Sequence, residues 1–351
     1  MKRKFLAVLA CVPLILLSFT GCAPSSMLSF SNAFNGGTAP SSSHTERLVY
    51  TVQFDGDSTE YYGDQSNIKD LADVEFQTGE YVSEFKVLND TSEIDSDILE
   101  TLPSTGSYYS IKTTFNIGIK VTVGGNVYEH NDKITTTAYV AEAGHSFAPL
   151  YSLTESENLI ISAGSTNASV ALVATYFKVN YNKNEYVTTE KTATLIGSEI
   201  NEKTLSFGEP IEKTHKYNFR NAIDNAEFLF ALRGVKPEEK ASVSIPVISV
   251  NYGEPKTLSV TNAGSAEKKI KIKYNGTEYE ETIKYDALNY RISSVNTAGL
   301  KQFILIQSEK SENIPYLALP VEYARAVVLY TTGYPTMGTL IFSLSEVEVN
   351  G

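Results

Sequence analysis

From Leu48 onward, apolar and polar residues alternate with period two, the pattern of strands that bury one face and expose the other. The longest run spans Ile111 to Val123. Ile111, Thr113, Phe115, Ile117, Ile119, Val121 and Val123 share one face, against Lys112, Asn116 and Lys120 on the other. Gly124-Gly125 follows and leads into Val127 and Tyr128. A two-residue type I′ turn needs positive φ at both central positions, so Gly-Gly here predicts a hairpin. Asn275-Gly276 predicts a second one, pairing Tyr274 with Thr277, Lys273 with Glu278, Ile272 with Tyr279, and Lys271 with Glu280. That register puts opposite charges on one face and an Ile-Tyr pair on the other. Val173 to Tyr181 and Leu340 to Val349 alternate in the same way. One segment breaks the pattern. Between Asn218 and Arg233, Phe219, Ile223, Ala226 and Phe230 recur at spacings of three and four, with Asp224 early and Arg233-Gly234 at the end, which predicts a helix near 219–233. Ile68 to Phe76 carries a weaker helical pattern that a loop would also satisfy. The chain therefore reads as mostly β: a single curled antiparallel sheet or half-barrel with one helix packed against it, or alternatively two β-sandwich-like halves.

The N-terminus follows a different rule. Lys2, Arg3 and Lys4 precede an apolar stretch from Leu6 to Leu17, and Phe19-Thr20-Gly21-Cys22 forms a small-residue exit, the order of a secretory signal over residues 1–21. Its end resembles the lipobox of bacterial lipoproteins, in which the cysteine is acylated and becomes the new N-terminus. An uncleaved anchor or an ordinary signal peptide is the alternative, although the run falls short of the about 20 apolar residues of a membrane span. The lipobox reading makes Cys22 the lipidation site and anchors the chain to the cell membrane on the extracytoplasmic side. Residues 22–46 are rich in Ser, Gly, Asn, Pro and Thr without apolar period and read as a flexible tether, leaving 47–351 as the β-rich domain. Of the 2 cysteines, Cys11 lies in the leader and Cys22 would carry the lipid, so the mature domain would be held by its core and not by disulfides.

Loss of Lys2, Arg3 and Lys4 with the leader takes 29 basic residues to 26 against 41 acidic, a balance of −15. Such a surface is unsuited to nucleic acid, and anionic headgroups would repel it, so the lipid would be the membrane contact. The residues offer no catalytic constellation, metal site or cofactor motif. His44, His130, His145 and His215 do not pair at metal-ligand spacing. Asp55-Gly56-Asp57-Ser58-Thr59-Glu60 superficially follows a calcium loop, but Glu60 stands where the sixth-position Gly is needed and Ser66 at the twelfth. Asp90, Glu93, Asp95 and Asp97 read as a solvated acidic turn. The 22 Tyr and 16 Phe, among them Tyr61-Tyr62, Tyr108-Tyr109, Tyr176-Phe177, Tyr323, Tyr330 and Tyr334, suit either strand filling or an amphipathic groove.

Several short segments together resemble the exported bacterial family known as domain of unknown function 3108. Leu48-Val49-Tyr50-Thr51-Val52 is similar to its opening strand, and Asp224, Leu229, Phe230, Leu232 and Arg233 to its central Asp-led helix closing in aromatic-Leu-Arg. The order of elements is similar too: His145 to Ser152 in the first half, then that helix, then strands, a late proline such as Pro315 or Pro320, and Gly338 before the last strand. The resemblance implies a curled antiparallel sheet wrapped around a helix, similar to the half-barrels of lipoprotein-localisation carriers, and brings no defined activity. Three functions stay open from the sequence, in decreasing order. They are a non-enzymatic binding module for an apolar or amphipathic ligand, a cell-envelope scaffold or protein-interaction lipoprotein, and an envelope hydrolase using paired carboxylates.

Overall fold

The structure is a computed structural model, and it describes residues 40–55, 72–100, 108–143, 146–163, 167–182, 185–201, 204–216, 222–233, 235, 242–248, 256–292, 302–328 and 336–351. In chain order the elements are β1 (Thr45–Asp55), β2 (Ala72–Phe76), β3 (Gly79–Leu88), α1 (Ser96–Leu99), β4 (Tyr108–Val123), β5 (Asn126–Ala143), β6 (Ser146–Ala163), β7 (Ala168–Tyr181) and β8 (Glu185–Ile196). They continue with β9 (Ile211–Lys216), β10 (Ile223–Asp224), α2 (Phe228–Arg233), β11 (Ser242–Ile248), β12 (Lys256–Tyr274), β13 (Thr277–Ile292), β14 (Phe303–Gln307), β15 (Pro320–Val328) and β16 (Thr336–Asn350). All the strands belong to one sheet in the order β10-β11-β12-β13-β14-β15-β16-β1-β3-β4-β5-β6-β7-β8-β9, with β2 laid on β4. The reading of two separate sandwich halves is thereby corrected, because β1 and β16 pair at the centre and join the two halves through continuous hydrogen bonding.

Period-two sequence produces this sheet as expected. Gly124 and Gly125 take φ of 57° and 81°, and Asn275 and Gly276 take 44° and 84°, so both turns are of the primed kind that matches strand twist. The hairpin of β12 and β13 has the expected register, with Tyr274 opposite Thr277 and Lys273 opposite Glu278. Its ion pairs, however, run diagonally. Lys271 meets Glu278 at 3.8 Å, Lys269 meets Glu280 at 2.7 Å, and Lys273 reaches across to Glu346 on β16 at 2.8 Å. Strand twist brings diagonal neighbours together, and at these exposed positions each pair adds at most about 1 kcal/mol.

A bulge and a closure shape the second half of the sheet. The register of β12 slips between Asn262 and Gly264, where Gly264 holds a φ of 103° and its N–H donates to Asn262 Oδ1 at 2.7 Å. A bulge bends its strand, and beyond it the end of β12 meets β16 in parallel at Lys273-Glu346 and Tyr274-Val347. The second half of the sheet thus closes on itself around an apolar interior.

Two expectations about local structure are corrected. Ala72 to Phe76 forms β2 on β4, because Ala72, Val74 and Phe76 alternate with Asp73 and Glu75 in period two. Within the described residues, the helix near 219–233 shrinks to α2 preceded by a 3₁₀ turn at Asn225–Glu227, while Ile223 and Asp224 pair in parallel with β11. Asp224 sets that start. Its backbone is extended (φ −77°, ψ 150°) and its Oδ1 accepts the Ala226 N–H at 2.9 Å, so helical geometry begins only after it. Leu229, Phe230, Ala231, Leu232 and Arg233 are all buried, which makes α2 a plug surrounded by sheet and not a lid with an outer face.

The interior around this plug is filled. Leu48, Tyr50 and Val52 of β1 pack with Phe85, Ile111, Leu232, Ile245, Ile272, Ile304, Leu319 and Phe342 in one cluster. Phe230 stacks on Phe85 with centroids 4.4 Å apart, and Tyr323 stacks on Phe342 at 4.0 Å. Buried hydroxyls are satisfied locally: Tyr50 donates to the Pro320 carbonyl at 2.8 Å and Tyr290 to the Ala324 carbonyl at 2.7 Å. A smaller cluster lies under β2 and the 3₁₀ turn at Gly197–Asn201, with Ile119, Val121, Leu159, Ile161, Leu172 and Ile200 buried in it.

Candidate functional site

The residues singled out in the sequence scatter. Cys22, the leader, most of the tether, His145, residues 56–66 of the calcium-like loop, and Tyr61, Tyr62, Tyr330 and Tyr334 lie outside the described residues. Asp90 and Asp95 cap the short helical turns after β3, accepting the Ser92 N–H at 2.9 Å and the Asp97 N–H at 3.1 Å. Glu93 pairs with Lys86 at 2.5 Å, so this acidic cluster caps turns and balances a lysine. His215 stacks on Tyr186 with centroids 4.6 Å apart, and His44 lies against Phe85 at 6.0 Å. Tyr108, Tyr109, Phe177 and Tyr323 are buried as strand filling.

What the fold brings together is a set of polar residues at the two ends of the plug. At the C-terminal end, Arg233 is 3% exposed and Glu46 is 5% exposed. Arg233 Nη1 donates to Glu46 Oε2 at 2.9 Å, and Nη2 bonds to Oε1 of the same carboxylate. A planar guanidinium matches a carboxylate in this two-point way, and the arginine also covers the Phe230 ring at 4.5 Å. Burial alone would raise the Glu46 pKa. The Arg233 charge, the bonds from Arg233 and the nearby His44 outweigh it and hold the carboxyl at about 2.

At the N-terminal end, Asp224 is buried between β6 and β7. Its Oδ2 accepts from Ser152 Oγ at 2.6 Å and from the Tyr181 hydroxyl, while Oδ1 caps the helical turn. Burial raises the Asp224 pKa despite these donors, and it drives the Tyr181 pKa far upward, with the Asp224 charge adding to the rise. One turn on, Glu227 is 0% exposed, and neither of its carboxyl oxygens has a hydrogen-bond partner among the described residues. Burial, then the Asp224 charge, push its pKa well up, the behaviour of a carboxyl kept protonated.

Glu46 corrects the tether boundary. The composition of 22–46 places it in a flexible leash, yet β1 begins at Thr45, and Glu46 continues the inward-facing series Leu48, Tyr50, Val52. That parity, set against an arginine closing an otherwise apolar helix, is the signal in the sequence for this pair. Asp224 and Glu227 are neighbouring acids, and both are buried, at 4% and 0% exposure. Among the described residues no cluster of His, Cys, Asp and Glu could hold a metal ion, and no helix is long and apolar enough to cross a membrane. A pocket of about 280 Å³ beside β1, β3 and β4 is lined by charged side chains, among them Glu46, Lys86 and Glu348, and by the apolar Phe85, Leu88 and Tyr139.

The fold therefore defines a curled antiparallel β-sheet protein plugged by a short helix that is held at both ends by buried polar pairs. No family model and no curated protein matches the chain. Among solved structures, the beta-barrel-like protein of domain of unknown function DUF1849 from Brucella abortus is similar over 87% of this chain and 98% of that one, at 9% identity and a TM-score of 0.39.

Proposed function

We propose that this chain is an extracytoplasmic lipoprotein, anchored through acylated Cys22, whose β domain is a non-enzymatic binding module acting through its outer surface. The observation that carries the second part is the filled interior. Tyr50 and Leu232 at its centre have no solvent exposure, and the plug takes the volume in which a half-barrel carrier would hold a lipid. Binding is left to the surface, which favours a protein partner in the cell envelope over an enclosed apolar ligand. The leader, the Ser-rich tether and a mature domain without other thiols support the anchor.

Membership of the domain of unknown function 3108 family belongs to the same reading. Residues that carry that resemblance meet in space: Asp224 with Ser152, and Tyr50 with the Pro320 carbonyl. Arg233, from the same set, takes Glu46 as its partner. Short motifs far apart in sequence acquire a physical reason when they hold the plug.

The anchor is tested by expressing the full chain and its Cys22→Ser variant in a bacterium, fractionating the envelope and weighing the mature protein. Lipidation predicts a membrane-bound species starting at acylated Cys22 and a Cys22→Ser protein that leaves the membrane fraction. An unmodified Cys22 would reject it. Crosslinked pull-down from the same membranes tests the surface reading. A specific envelope protein supports it, and a co-extracted lipid in stoichiometric amount would replace it with the ligand-carrier reading.

A further inference from the structure

Strand β9 ends the sheet. It pairs with β8 on one side, and among the described residues nothing pairs with the other. An open strand edge is a template for another strand, and proteins blunt such edges when they must stay unpaired. Here the edge is accompanied by exposed apolar side chains. Of the four large hydrophobic residues that stand exposed among the described residues, Ile196, Phe207 and Ile211 lie at the end of β8 or on the approach to and start of β9, at 59%, 49% and 56% exposure.

We propose that β9 pairs antiparallel with β9 of a second copy of this chain, centred on Thr214. The charge pattern selects both the partner and the register. Two copies of one strand related by a two-fold axis pair a residue with its own counterpart at the centre, because directly opposed residues point their side chains to the same face of the sheet and neighbours along one strand do not. A centre at Glu212 sets Glu against Glu. A centre at Lys213 sets Lys against Lys. A centre at Thr214 sets Thr against Thr and places Glu212 opposite Lys216 of the other copy, twice. Glu212, Thr214 and Lys216 share one face of β9 and are all exposed. Opposite-charge and Thr-Thr pairs are the favourable cross-strand combinations, whereas like charges directly opposite are destabilising. On the other face His215 is stacked on Tyr186, so a centre there would set two held imidazole rings against each other. The pairing itself does not rest on the membrane reading; only the crosslinking test takes Cys22 as acylated and the leader as removed.

The test uses the full chain in density-matched detergent, with self-association followed by sedimentation equilibrium. Two single variants are made, Glu212→Lys and Lys216→Glu. Each alone sets like charges opposite one another at both pairs, and each is expected to weaken self-association about tenfold or more. Mixed together, the two variants face each other with opposite charges at both pairs. The mixture is expected to recover heterodimers of about the unsubstituted strength. In membranes, Thr214→Cys is expected to form an oxidant-dependent crosslinked dimer that the unsubstituted chain lacks, since opposed residues in such a pair bring their Cα atoms within disulfide reach. An unsubstituted chain that stays monomeric, or a mixture no better at association than either variant alone, would overturn the proposal.

Discussion

Removing the Arg233 guanidinium while keeping its apolar stem is the sharpest perturbation of the plug. Arg233→Met leaves the Glu46 carboxylate buried at 5% exposure without its two-point partner. Breaking a buried pair from one side costs about 3 to 5 kcal/mol. The pKa gives an independent magnitude. Glu46 is held at about 2 against an ordinary value of 4.5, a depression whose linkage is on the order of 3 kcal/mol. Because the folded value lies below the unfolded one, this stability is present above about pH 4.5 and is lost as pH falls through about 2. In Arg233→Met the largest lowering cause is gone and burial is opposed only by the nearby His44, so the Glu46 pKa rises from its wild-type position and mild acid relieves the variant relative to wild type. The assay is urea unfolding of the wild type, Arg233→Met, Glu46→Gln and the double variant. It is read by far-UV circular dichroism and tyrosine fluorescence, the chain having 22 Tyr and no Trp. A cycle coupling of about 2 kcal/mol or more at pH 7, with the variant gaining on wild type between pH 7 and 4, is expected. A coupling under about 0.5 kcal/mol, or parallel pH profiles, would show that the Glu46–Arg233 pair does not hold the plug.

Other positions give further expectations. Asp132, buried in β5, accepts the Leu159 N–H at 2.9 Å, and burial raises its pKa to about 7. Its contribution is therefore full below about pH 4 and is lost as pH rises through 7. Asp132→Asn should remove a loss on the order of 4 kcal/mol between pH 4 and 8, seen as a flatter profile of urea midpoints, and an unchanged profile would count against it. Tyr181→Phe takes one donor from buried Asp224 and should lower stability by about 1 to 3 kcal/mol, with faster exchange of the backbone amides of Ala226 and α2; uniform protection would speak against a pinned plug. Gly338 holds a φ of 137°, and an added Cβ would lie 2.7 Å from the Phe54 ring. Gly338→Ala should therefore cost about 1 to 3 kcal/mol in thermal unfolding, whereas a neutral result would show that β1 can yield there.

The strands and their hairpins were legible because pairs such as Ile272-Tyr279 are local consequences of period two and of turn residues with positive φ. The order of the sheet was not. The pairing of β1 with β16 joins the two ends of the domain, and nothing in either strand's own pattern names the other as its neighbour. Helix length misled for a related reason. Spacings of three and four continue upstream of Asp224, but the cap there and the pairing of Ile223 with Val247 override propensity. The candidate site was half legible. Asp224 and Arg233 stood out in the sequence, whereas Glu46, 187 residues from Arg233, was hidden by the polar composition of the segment before it. Their convergence is a property of the packed plug.

The proposed binding at the outer surface requires that the interior of this sheet be filled by its own plug. Native mass spectrometry of the full chain extracted from bacterial membranes, paired with organic extraction of the same sample, tests it most directly. A filled interior gives the mass of the polypeptide with its N-terminal acyl chains alone, and an extract free of other lipid at stoichiometric level. A tightly held apolar molecule, one per chain and lost only on unfolding, would contradict it.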